Sequence, residues 1–105
     1  MQEATFLILT SLAPGAQHGY GIIADVLEIS GGRVRLLAGT LYAALDRLRE
    51  EGLIDVDREE VVNGRLRRYY RLTSAGGRQL AAEAERLRDN ARTALARLSL
   101  AGGAA

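Results

Sequence analysis

GTLYAALDRLREEGLIDVDREEVVNGRLRRYYRL, residues 39–72, changes its periodicity part-way along and then reverses direction. Leu41, Leu45 and Leu48 fall at i, i+4 and i+7, while Thr40, Asp46, Arg47, Arg49 and Glu50 occupy the other faces, which predicts an amphipathic helix over about 38–51. Gly52 suits the left-handed residue just past a helix, and Leu53 can make the apolar contact of a Schellman ending. The period then drops to two. Ile54 and Val56 alternate with Asp55 and Asp57, and Leu66, Arg68, Tyr70 and Leu72 alternate with Arg65, Arg67, Tyr69 and Arg71. Asn63-Gly64 between the two runs is the strongest short-range hairpin signal.

The hairpin's register follows from its polarity. A bare two-residue loop sets Asp55 opposite Leu72 and Asp57 opposite Tyr70, with acids on the apolar face. One extra residue, in a three-residue loop or a bulge, sets Ile54 opposite Leu72 and Val56 opposite Tyr70 and builds one apolar face, so this register is expected. It turns Arg65, Arg67, Tyr69 and Arg71 to the other side, toward solvent or a ligand.

Upstream, apolar spacing predicts a helix over 3–12 that Pro14-Gly15 stops, and a short helix over 21–29 that Gly31-Gly32 ends, with Gln17-His18-Gly19-Tyr20 as a loop between them. Downstream, Thr73 is a plausible N-cap for a helix reaching about Leu100, with Gly76-Gly77 weakening its first turn. Leu80, Ala84, Leu87, Ala91, Ala94 and Leu98 form a heptad seam along it. At about 1.5 Å per residue this helix is near 40 Å long, more than so small a body covers, so the seam calls for a second copy of the chain. The expected architecture is mainly α with a β-hairpin: a winged helix-turn-helix over 1–73, then a dimerisation helix and a frayed Ala-Gly-Gly-Ala-Ala tail over 74–105.

Composition narrows the function. The chain has 105 residues, a net charge of +1, one histidine and no cysteine. A disulfide scaffold and a cysteine zinc site are excluded, and His18 alone leaves little material for a catalytic triad or a metal cluster. Ser11, Ser30, Ser74 and Ser99 have no visible base partner, and neither glycine pair belongs to a phosphate loop, so neither an enzyme nor a cofactor is expected. No apolar run approaches the roughly 18 residues of a membrane span and residues 1–10 lack a basic leader, which predicts a cytoplasmic protein without membrane contact. The charge is unevenly laid out. Residues 1–30 carry three acids and no base, whereas Arg65, Arg67, Arg68 and Arg71 follow one another without an intervening acid. That all the basic residues are arginine fits GC-rich codon usage better than phosphate recognition, because it holds along the whole chain.

A helix that fits the major groove, followed by an arginine-bearing hairpin that reaches neighbouring phosphates, suits duplex DNA. The same shape also serves protein-interaction adaptors and RNA-binding modules. His18-Gly19-Tyr20-Gly21-Ile22-Ile23, Gly39-Thr40-Leu41-Tyr42, Glu51-Gly52-Leu53-Ile54 and Arg67-Arg68-Tyr69-Tyr70, in this order and spacing, resemble the PadR family of bacterial transcriptional regulators over residues 5–78. The resemblance implies a homodimeric repressor with a single C-terminal dimerisation helix, acting on a pseudo-palindromic operator and released by a small-molecule or other effector. Two positions depart from the family pattern: Ala43 stands where proline is usual, and Gly21 where a polar residue is usual. The tryptophan with which some members sandwich planar drugs is missing.

The resemblance places the family's DNA-contacting tyrosine at Tyr42, which with Thr40 stands in the first helical turn, where side chains and N–H groups meet phosphate. Arg47 stands where it can reach guanine edges or phosphate, or pair with Glu50 or Glu51 on its own helix. Arg35 precedes this helix, within reach of the DNA backbone or simply solvated. His18 and Tyr20 are expected to fix the start of the second helix and touch phosphate. Arg65, Arg67 and Arg68 are the principal phosphate ligands. Glu59 and Glu60 face them, but an exposed pair worth about 0.2–1 kcal/mol does not outcompete a polyanion at low salt.

Overall fold

A computed structural model describes residues 1–102. Helix α1 spans Glu3–Leu12, a two-residue strand β1 is Gln17–His18, α2 is Gly19–Ile29 and α3 is Ala38–Glu50. The hairpin is β2, Ile54–Val62, and β3, Arg65–Leu72, and the chain continues into α4, Ser74–Leu100. The tail residues 103–105, part of the stretch expected to fray, lie outside the described residues.

α1 is the central element because both of its sides are covered: Leu7, Ile8, Leu9 and Leu12 are buried, and it packs against α2, α4 and β3. Ile22 and Val26 from α2, Leu41, Leu45 and Leu48 from α3, and Leu53, Ile54 and Tyr70 from the hairpin close the core around it. Each such side chain contributes about 1.5–3 kcal/mol on leaving water. α3 ends as its sequence predicts. Gly52 has φ 75°, its N–H donates to the Arg49 carbonyl at 3.0 Å, and the Leu53 N–H donates to the Leu48 carbonyl at 3.0 Å, the two bonds of a Schellman motif.

The hairpin satisfies both registers, one at each end. Asn63 and Gly64, at φ 52° and 77°, form a two-residue turn with both central residues left-handed, and Val62 faces Arg65. A bulge between Val56 and Arg58 then absorbs Asp57, so that Val56 faces Tyr70 and Ile54 faces Leu72. The apolar face required by the core is thereby built below the bulge. Above it, the tip pairs Glu59 with Arg68 and Glu60 with Arg67.

The loop expected at 17–20 is partly a strand. β1 pairs antiparallel with β3, Gln17 facing Tyr70 and His18 facing Tyr69, giving the sheet order β1-β3-β2. α2 consequently starts at Gly19, two residues before the predicted position, with His18 as its N-cap.

Thr73 caps α4: its Oγ1 accepts the Gly76 N–H at 3.1 Å and donates to the Gly52 carbonyl at 2.6 Å. Gly76 is required for packing more than it weakens the helix, since a Cβ there would run into the Leu53 carbonyl oxygen. Beyond Leu87, the last residue of α4 to share a cavity with α1, the helix leaves the body. Ala84, Leu87, Ala91, Ala94 and Leu98 of the heptad seam are all exposed, as are Leu95 and Leu100. The radius of gyration is 16.5 Å, against about 13 Å for a compact chain of this length. No helix among the described residues is long and apolar enough to cross a membrane.

The two glycines of α4 are expected to respond oppositely to alanine. Gly76→Ala should destabilise the fold by about 1–3 kcal/mol through overpacking against Leu53, whereas Gly77→Ala, which meets open space, should stabilise it by about 0.5–1 kcal/mol. Urea denaturation of both variants measures this, and equal effects would contradict the close approach.

Candidate nucleic-acid interface

One cleft, of about 340 Å³, opens between the start of α2, the first turn of α3 and the hairpin tip. It gathers His18, Tyr20, Tyr42, Arg65, Arg67 and Arg68, together with Gly19, Val62, Asn63 and Leu66. Residues far apart in sequence meet here because β1 pins the chain before α2 to β3.

Tyr42 projects sideways from α3, and its ring is accommodated by Gly19, where a Cβ would collide with the phenol oxygen. Partial burial first, and the neighbouring Tyr70 and Tyr20 hydroxyls next, push its pKa above the usual tyrosine value, with Arg68 opposing. The phenol therefore stays protonated at neutral pH and is a hydrogen-bond donor, the form that suits a phosphate oxygen. Tyr20 is largely exposed beside it.

His18 is tied down on two sides. Its Nδ1 accepts the Gly21 N–H at 3.2 Å, and its ring meets Tyr69 edge-on with centroids 5.4 Å apart. The other face of the sheet's tip is charged in a different way from the sequence expectation. Tyr69 also carries Arg58, whose guanidinium carbon lies 4.0 Å from the ring centroid and which bonds Glu60 at 2.7 Å and Asp57 at 2.9 Å. Among the described residues, Arg65 and Arg67 have no ion pair, while Arg68 donates its Nε to Glu59 at 3.1 Å.

Three of the residues predicted for this site stand elsewhere. Arg47 turns back from α3 toward α1, where it donates to Thr5 Oγ1 at 3.1 Å and lies 4.0 Å from Glu51, in a separate cleft beside Met1 and Gln79. Thr40 is exposed on α3 without lining the cleft, and Arg35 is exposed in the connection between α2 and α3. Gly19 and Arg58 were not singled out from the sequence. Gly19 is legible in the sequence as part of the His18-Gly19-Tyr20 motif but not as the residue that makes room for Tyr42, and Arg58 only becomes a stacking partner once the bulge sets it opposite Tyr69.

A cleft walled by arginine and tyrosine, with a helix beside a hairpin, is the arrangement of a winged-helix DNA reader, and similarity to known proteins bears on it directly. The family described as "Transcriptional regulator PadR-like family" matches residues 8–82. This chain belongs to that family. It is 41% identical over 88 residues to the transcriptional regulator Rv3488 of Mycobacterium tuberculosis, covering 84% of this chain and 78% of the relative. Among solved structures it superposes on a PadR family transcription regulator from Clostridium difficile with a TM-score of 0.76 at 28% identity, over 92% of this chain and 99% of that one. It also matches Bacillus subtilis PadR in complex with operator DNA, with a TM-score of 0.70 at 25% identity, over 79% of this chain and 47% of that one. The PadR-like chain is thus a transcriptional regulator with a winged-helix fold and not an enzyme.

The His18 cap makes the regulator's stability depend on pH. Burial first and the Arg67 charge second hold its pKa below the usual value of about 6.5, so the folded state takes up this proton at lower pH than the unfolded chain. Its contribution is complete above about pH 6.5 and is lost as the pH falls from there through the folded pKa. The melting temperature should therefore decline between pH 7 and 5, and less steeply in His18→Asn, which keeps a cap acceptor and cannot titrate. Parallel declines in the two proteins would remove the cap from the account.

Proposed function

We propose that this PadR-like chain is a cytoplasmic homodimer that binds duplex DNA at a pseudo-palindromic operator and acts as a repressor, released by a small-molecule or other effector. Residues 1–73 bind DNA, and α4, within residues 74–105, is the pairing helix. The observation that carries the reading is the cleft that Tyr42, a neutral donor, lines together with Arg65 and Arg67, neither of which has an ion pair among the described residues. The B. subtilis relative, solved with operator DNA, supports it.

In this reading α3 lies in the major groove, where its exposed Thr40 and Ala43 face base edges and Tyr42 holds a phosphate at the groove's margin. Arg65 and Arg67 reach the adjoining backbone, and His18 and Tyr20 close the cleft from the α2 side. Arg35 is solvated, and Arg47 serves α3–α1 packing. Two subunits set their α3 helices about 34–36 Å apart, one turn of duplex. Pairing is supported by the exposed Leu95, Leu98 and Leu100 on the free length of α4, and by Leu87, which α1 covers only in part. An effector has room in the small cavity, about 260 Å³, that Phe6 and Leu7 of α1 form with Leu87 of α4. A ligand that prefers one α4 arrangement by a few kcal/mol would alter the spacing of the two α3 helices.

Selection of bound duplexes from a random pool, at two salt concentrations, tests the DNA reading. Enrichment of an inverted repeat is expected, together with its loss in the Arg65→Ala, Arg67→Ala, Arg68→Ala triple variant. Failure of any motif to emerge would favour the protein-adaptor or RNA-binding alternative.

Pairing is tested separately. Leu87→Asp with Leu98→Asp should convert a dimer to a folded monomer in sedimentation equilibrium and weaken operator binding by at least 100-fold. A wild-type chain that sediments as a monomer at micromolar concentration would refute the dimer.

A further inference from the structure

The hairpin carries five arginines, yet three are already bonded to carboxylates. Arg71 holds Asp55 at 2.7 Å and Arg58 holds Glu60 at 2.7 Å, both on the sheet face turned away from the core. Arg68 differs from these two in position. It shares a face with Tyr70, lines the cleft with Tyr42, and is nonetheless held by Glu59 at 3.1 Å. The two-residue turn is the reason. It brings Glu59 directly opposite Arg68, whereas the same turn leaves Arg67 opposite Glu60, whose carboxylate is drawn off by Arg58. Among the described residues Arg67 therefore has no ion pair and Arg68 has one.

We propose that Glu59 is a resident competitor for the DNA backbone, holding Arg68 in the free protein so that a phosphate gains this guanidinium only by displacing the carboxylate. The inference rests on the DNA-binding reading and adds to it a residue that opposes binding. The pair is exposed on both sides, 44% and 42%, so water and phosphate reach it and the exchange is open. Its cost appears as ions. A phosphate neutralised by a free arginine sheds its condensed counterion, about 0.9 in the slope of log K against log salt. While Glu59 keeps Arg68, the phosphate opposite keeps its counterion, and a carboxylate displaced there is left beside the polyanion and repelled by it, which offsets the gain. Arg68 then adds little to sequence-independent affinity, and the hairpin grips any duplex chiefly through Arg65 and Arg67.

Fluorescence anisotropy with a labelled mixed-sequence duplex of about 30 base pairs, titrated at several salt concentrations, tests this on the full chain. Wild type, Glu59→Gln, Arg68→Ala and the double variant are compared, with thermal melts confirming that each is folded. Glu59→Gln should steepen the salt slope by about 0.9 per hairpin and tighten binding about fivefold per hairpin near 0.15 M salt. Arg68→Ala should cost little in the wild-type background and abolish the gain in the Glu59→Gln background. An unchanged slope in Glu59→Gln overturns the proposal. So does a gain that survives Arg68→Ala, which would mark general relief of repulsion, or an equal Arg68→Ala loss in both backgrounds. Absence of binding by wild type and Glu59→Gln alike, even at low salt, would instead overturn the DNA-binding reading itself, and the competitor role with it.

Discussion

The carbonyl oxygen of Leu53 receives the Thr73 N–H at 3.1 Å and has the backbone of Gly76 pressed against it. Around that one atom four elements meet: the end of α3 through the Gly52 Schellman turn, the start of β2, the end of β3 and the first turn of α4. Thr73 serves three of them at once, through its backbone N–H, through its hydroxyl to the Gly52 carbonyl, and as the acceptor that caps α4. Because the contact at Gly76 is with backbone, no rotamer change relieves it, and the direction in which α4 leaves the body is set relative to α3. The hairpin is clamped at its base by the same junction and pinned partway up by β1, so beyond Tyr69 the position of its tip depends on twist and bulge.

That dependence makes the bulge at Asp57 decisive. The turn chemistry of Asn63-Gly64 demands one register and burial of Ile54, Val56, Tyr70 and Leu72 demands the other. A strand obeying either demand throughout would leave acids against the core or a strained turn. The single absorbed residue lets each end follow its own constraint, and it is also what opposes Arg58 to Tyr69 and Glu59 to Arg68. The electrostatics of the tip are in this sense a by-product of packing at the base.

How far the sequence could be read follows from the same distinction between local and non-local causes. α1, α3, α4, the Schellman ending and the need for an extra residue in the hairpin were all legible, because periodicity and turn chemistry are local. β1 was not, since two residues show no alternation and their pairing depends on β3, fifty residues away. Arg47 illustrates a different limit. Helical phase put it beside Thr40, but a long side chain chooses among partners that only tertiary structure supplies, and Thr5 on α1 was one of them. Leu80 likewise belongs to the same heptad seam as Leu98 while being half-covered by its own chain.

α1 stands between the part of the molecule that faces outward along α4 and the part that carries Tyr42. On one side the N-terminal amine lies 3.7 Å from Glu83, and Phe6 and Leu7 share a cavity with Leu87. On the other, Thr5 accepts from Arg47, and the cleft they line also includes Gln79 of α4. A close-packed interior does not absorb displacement gradually, so a shift of α4 against α1 is passed on as movement of a whole helix. The Leu53 junction fixes α4 at its first turn, and the contacts from Gln79 to Leu87 lie beyond that fixed point. Any rotation of α4 must therefore pivot near Gly76, and its lever acts on the α1 face that Thr5 and Arg47 join to α3.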